Sequence, residues 1–88
     1  MSARVDSIRA RLTASFSPEH LEIVDESHKH AGHAGARDGR GHFAITIVSS
    51  AFTGMPPIKR HRAIYQALGE LMQSDIHALS IQAGSPDE

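Results

Sequence analysis

The stretch from Ser27 to His42 constrains the fold more than any other part of the chain. It is rich in glycine and histidine and reads as a loop rather than as an element. Two β-rich runs flank it. His20 to Glu26 is centred on Leu21, Ile23 and Val24, and Phe43 to Val48 puts Phe43, Ile45 and Ile47 on one face. An antiparallel hairpin joins such runs most simply. Its loop then holds about 14 residues, against roughly 2–5 in ordinary hairpins, and so is either disordered or functional.

The remaining elements follow from periodicity. Ser2 to Ser15 reads as a helix, with Val5, Ile8, Leu12 and Phe16 at helical spacing and Pro18 marking its end. Ser49 to Gly54 reads as a short helical turn. Pro56 and Pro57 suit the first turn of a long helix reaching about Ser74. Its expected stripe is Ile58, His61, Tyr65, Leu68 and Met72, widened by Ile64 and Leu71. His77 to Ala83 reads as a third strand with His77, Leu79 and Ile81 on one face, and Gly84 to Glu88 as a frayed tail. Residues 1–88 therefore form one α+β domain of order αββααβ. Its three-stranded mixed sheet carries helices on one face.

Composition narrows the function. A domain of 88 residues buries a modest fraction of its surface. The chain has no cysteine, so it holds no disulfide and no self-contained zinc–thiolate site. Any iron–sulfur centre would need thiolates from elsewhere. The formal net charge of -1 argues against the whole chain acting as an electrostatic glue for nucleic acid. No apolar run approaches the roughly 20 residues of a membrane span. The N-terminal stretch lacks the apolar segment of a secretory signal and reads as an ordinary helix, which points to the cytoplasm.

Histidine is the remaining chemical signal. Of seven histidines, four lie in the long loop or at its border and a fifth, His77, opens the last strand. Neutral imidazole is the commonest protein metal ligand. Each histidine also has a plainer reading. From spacing alone, His77 is a satisfied core residue. His28, His30 and His33 suit a polar loop that picks up adventitious metal. His42 reads as structural, and His61 as a half-buried packing residue.

Lys59, Arg60, His61 and Arg62 crowd the first turns of the long helix. Cations there oppose the helix dipole, so local stability does not explain them. They suit DNA phosphates, the carboxylates of a small ligand or an acidic partner surface. The plainer reading is a solvated helix start with one structural arginine.

Several blocks together resemble the BolA-like family over nearly the whole chain. They are Asp25-Glu26-Ser27-His28-Lys29-His30-Ala31-Gly32-His33, His42-Phe43, Val48-Ser49, Phe52-Thr53-Gly54, Arg60-His61-Arg62 with Tyr65, and His77-Ala78-Leu79-Ser80-Ile81. The resemblance implies a fold similar to type II KH domains. The KH-type GxxG loop is absent, which argues against KH-style RNA binding. The resemblance also implies two roles. In one, the chain pairs with a monothiol glutaredoxin and shares a bridging [2Fe–2S] cluster. The family's ligands then fall on His77 and on a loop histidine, either His30 or His33. The partner and its bound glutathione would supply thiolates, and this chain two imidazoles. No cofactor is expected on the isolated chain. Imidazole ligands bind when neutral, so assembly should weaken as pH falls toward about 6.5. In the other role, the chain regulates transcription through a helix-turn-helix-like region; the turn around Gly54 and the basic helix start, with Lys59, Arg60 and Arg62, would then meet double-stranded DNA. An enzyme is disfavoured, because no nucleophile or nucleotide-binding motif is present and flexible loops hold acid–base sets poorly.

Overall fold

The computed structural model describes residues 3–27 and 41–88. Helix α1 (Ala3–Phe16) leads into strand β1 (His20–Asp25) and strand β2 (Gly41–Val48). A 3-10 turn (Ser50–Phe52), helix α2 (Pro57–Leu68), helix α3 (Leu71–Ser74) and strand β3 (Ile76–Gly84) follow. The sheet order is β1-β2-β3. β1 runs antiparallel to β2, with Ile23 opposite Ile45, and β3 runs parallel to β2, with Ile81 opposite Ile45. The expected α+β architecture with a mixed sheet is therefore present.

Alternation decides the layers. Phe43, Ile45 and Ile47 are buried, while His42, Ala44, Thr46 and Val48 between them are half-buried. The buried face packs against Ile8 and Leu12 of α1, Ile64 and Leu68 of α2, and Phe52 of the 3-10 turn. Among the described residues no helix covers the opposite sheet face, and Val24, Ser80 and Gln82 are exposed on it. α1 uses the stripe its spacing implies, with Ile8 and Leu12 buried and Val5 and Phe16 packed alongside. It ends at Ser17, whose φ of 43° leaves the helix just before Pro18.

The long helix differs from expectation in two ways. It breaks at Gly69, which adopts φ 54° and returns its N–H to the Tyr65 carbonyl, an ending that favours glycine. It is also rotated. Arg60, Ile64 and Leu68 form the buried row, whereas Ile58 and Tyr65 are exposed. Hydropathy assigned the apolar pair inward, but the buried partners of Arg60 are carbonyls.

Those carbonyls also correct the tail. Arg60, 7% exposed, donates from Nε to the Met55 carbonyl (2.8 Å) and from Nη1 to the Ala83 carbonyl (2.9 Å). Its guanidinium also grips both carboxylate oxygens of Glu88. Ser85 is buried, and its N–H donates to Glu88 Oε1 (3.2 Å). Residues 84–88 are thus tied down rather than frayed, by a charge instead of an apolar anchor. Ser49 closes the same end. Fully buried, it donates to the Phe16 carbonyl (2.6 Å), accepts from the Ala51 N–H (3.1 Å), and gives its own N–H to Gly84 (3.0 Å).

Two outcomes follow for stability. Replacing Ile45 at the sheet centre with Ala should destabilise by about 2–5 kcal/mol in urea unfolding, the usual range for a buried aliphatic truncation. The hydrogen bond from Arg60, aided by the Ser85 N–H, holds the Glu88 carboxyl down at about 2 from an ordinary 4.5. A lowered folded-state pKa stabilises the fold above the ordinary value, and that contribution fades as pH falls from 4.5 toward about 2. Acid titration of Glu88→Gln should lack this component, and unfolding midpoints across that window should converge with those of the wild type at the acid end.

Candidate functional site

The site is built where β1, β2 and β3 meet at the mouth of the long loop. Its two stems are clamped by backbone chemistry. Asp25 Oδ1 accepts the Ser27 N–H (2.9 Å), and Ser27 Oγ accepts the His42 N–H (3.0 Å). The Glu26 N–H reaches the His42 carbonyl (2.8 Å), and the Gly41 N–H reaches the Asp75 carbonyl (2.8 Å). Asp25, Glu26 and Ser27 thus join the loop's entry to its exit. Gly41 is required by space. A Cβ there would lie 2.7 Å from both Ser27 Oγ and the Phe43 ring.

His77 departs from the face expected of it. Gly41 pairs with Ile76 and His42 with Ala78, so His77 is the extra residue of a β-bulge. Ile76 is buried below it, while His77 itself is exposed. It therefore does not share the core face with Leu79 and Ile81, as strict alternation would require. The bulge instead brings its ring to that of His42, with centroids 5.2 Å apart and planes tilted by 49°. Nε2 of His42 is itself buried. Beside the pair lies an open depression of about 200 Å³ lined by Glu26, His42, Phe43, Ala78, Leu79 and Ser80. An exposed imidazole on a rigid bulge, with a second imidazole beneath it, can present nitrogen donors to a metal held by another molecule. Among the described residues no three His, Asp or Glu side chains converge as a self-sufficient metal site. His30 and His33, the loop candidates, lie outside the described residues.

The basic cluster is taken apart by the fold. Arg60 is the structural clamp described above and is withdrawn from any surface for nucleic acid or partner. Lys59 and Arg62 are exposed, and His61 is half-buried as its position in the stripe suggested. Among the described residues no helix is long and apolar enough to cross a membrane. Two functional features escaped the sequence. The bulge has no local signature beyond the pair Ile76-His77, and Ser49, the hub of the opposite end, looks like any loop serine.

Comparison with known proteins places this geometry. The family model for BolA-like protein matches residues 12–88. BolA-like protein 1 of Mus musculus is 46% identical over 80 residues, covering 91% of this chain and 56% of its own length. The DNA-binding transcriptional regulator BolA of Escherichia coli is 41% identical over 76 residues, covering 86% of this chain and 70% of its own. Among solved structures, the BolA domain of SufE1 from Arabidopsis thaliana superposes with a TM-score of 0.87 at 42% identity, covering 99% of this chain and 96% of that domain. The chain spans about half the mouse protein's length and 25% of the Arabidopsis SufE-like protein 1.

Placing a second histidine under the first has a spectroscopic consequence. In proton NMR, His42→Ala should shift the His77 ring resonances by removing the neighbouring ring current. The Ile64 and Leu68 methyl signals, on the far side of the sheet, should hold their positions.

Proposed function

The chain belongs to the BolA-like family, and from that membership and the geometry at the bulge we propose that it is a cytoplasmic adaptor. Its partner is a monothiol glutaredoxin, with which it shares a [2Fe–2S] cluster in iron–sulfur trafficking or iron regulation. The observation that carries this reading is His77, an exposed imidazole fixed on a β-bulge beside the loop stems. The donor set fits the cluster. Imidazole pairs replace thiolate pairs on one iron in some [2Fe–2S] centres and raise the reduction potential. This chain has imidazole to give and no thiolate.

His77 is the fixed ligand in this account. A loop histidine, His30 or His33, is the adjustable one; they follow Ser27 by three and six positions. The clamp of Asp25, Glu26 and Ser27 fixes the two stems to each other, so a partner's approach need not order them. His42 supports the His77 ring from below. When bound, the cluster supplies a one-electron centre and an exchangeable iron–sulfide unit. This chain's residues would supply two neutral imidazole donors.

A second reading rests on the relative from Escherichia coli, whose name is that of a DNA-binding transcriptional regulator. Lys59 and Arg62 remain exposed for phosphate contacts on α2. With Arg60 buried, the surface is smaller than the sequence suggested, and binding would be weak and salt-sensitive.

Mixing the protein with a monothiol glutaredoxin, glutathione, iron and sulfide without oxygen should give a 1:1 complex. Its visible circular dichroism should differ from that of the glutaredoxin alone. His77→Ala should abolish that new spectrum while leaving the fold intact; a spectrum indifferent to His77 would sink the reading. For the second reading, each of Lys59→Ala and Arg62→Ala should lower the salt slope of duplex binding by about one. Equal slopes in wild type and variants would exclude this surface.

A further inference from the structure

The two edges of the sheet are guarded differently. β1 carries Glu22 and Asp25, and Arg9 reaches down from α1 to the Leu21 carbonyl (3.4 Å). Charges and covering side chains are how natural sheets keep an edge from recruiting another strand. β3 has neither along its middle. From Ile76 to Pro86 the chain contains no Asp, Glu, Lys or Arg.

Parallel pairing fixes which backbone groups of β3 face outward. The Ser49 N–H donates to the Gly84 carbonyl, so Gly84, Gln82 and Ser80 turn toward β2. Leu79, Ile81 and Ala83 turn to the open edge. At Ala83 the outward carbonyl is taken by Arg60. The N–H and C=O groups of Leu79 and Ile81 have no partner among the described residues.

We propose that this edge binds a second copy of the chain. The two β3 strands run antiparallel about a twofold axis through Ser80 and join two three-stranded sheets into one. Leu79 then faces Ile81 of the second copy, and each such pair exchanges both of its N–H···O=C bonds. Both side chains already lie half-buried against the core, so the apolar layer continues across the junction. Ser80 meets its own copy in the close, non-hydrogen-bonded type of pair. Ala78 meets Gln82. The absence of charge suits a second copy. Near a twofold axis a side chain meets its like, and a charge there would face the same charge. β3 meets no such repulsion. The junction needs no metal, although Ala78, Leu79 and Ser80 also line the depression beside the histidine pair.

Ser80 is exposed and on the uncovered face, so it can be changed without touching the core. Sedimentation of the full chain up to millimolar concentration should show a reversible monomer–dimer equilibrium. Ser80→Lys and Ser80→Glu should each weaken dimerisation about tenfold or more, while unfolding at the wild-type temperature. An equimolar mixture of the two variants should dimerise again, since opposite charges then face each other. A wild type that stays monomeric throughout overturns the proposal. So does a dimer unaffected by Ser80→Lys, or a mixture of variants no tighter than either alone.

Discussion

Gly41–Val48 is hydrogen-bonded along both edges, antiparallel to β1 and parallel to β3, and the other placements follow from that pairing. A parallel neighbour cannot be reached by a tight turn. The chain must cross over, and the 3-10 turn, α2 and α3 are that crossover. They land on the face where Phe43, Ile45 and Ile47 project, and α1 fills the rest of it. The other face, with no helix on it among the described residues, carries mostly small and polar residues together with Val24 and Val48. At one end of the central strand the loop stems and the bulge gather two imidazoles. At the other, polar side chains lock the crossover.

That lock explains why an arginine sits where an aliphatic residue would be ordinary. Arg60 satisfies the Met55 and Ala83 carbonyls and the Glu88 carboxylate from one buried position. The Glu88 contact raises the guanidinium pKa further, against the opposing effect of burial. Removing one partner of such a set strands buried polar groups, a larger penalty than the gain from making one hydrogen bond. Ser49 acts alongside it, with one hydrogen bond to the end of α1, one to Gly84 of β3 and one that caps the 3-10 turn. The two ends of the sheet thus differ, one tied by Arg60 and Ser49 and the other carrying the His42–His77 pair.

Much of this was legible in the residues. The stripe of Val5, Ile8 and Leu12, the alternation of Phe43, Ile45 and Ile47, and Pro18 and Pro57 as punctuation all act locally, and the fold obeys them. His77 stood out because of its residue type in a cysteine-free chain. What stayed hidden depends on partners distant in sequence. The sequence allowed one structural arginine in the basic cluster, but only Ala83 and Glu88, brought together by the fold, show that it is Arg60. Ile58 and Tyr65 read as core because hydropathy cannot see which face the crossover buries. The bulge arises from register across two strands, and strict alternation put His77 on the wrong face. Gly69 did carry a local signal, a glycine inside a helical run, and it marks the break.

In the proposed complex, imidazole from this chain ligates a cluster held jointly with a partner. Pulsed hyperfine spectroscopy tests it most directly. The reduced mixed complex would be prepared with histidine labelled by nitrogen-15 in this chain alone. The account predicts strong couplings from two histidine nitrogens that change with the label, one of them lost in His77→Ala. A cluster with no label-dependent nitrogen coupling would contradict it.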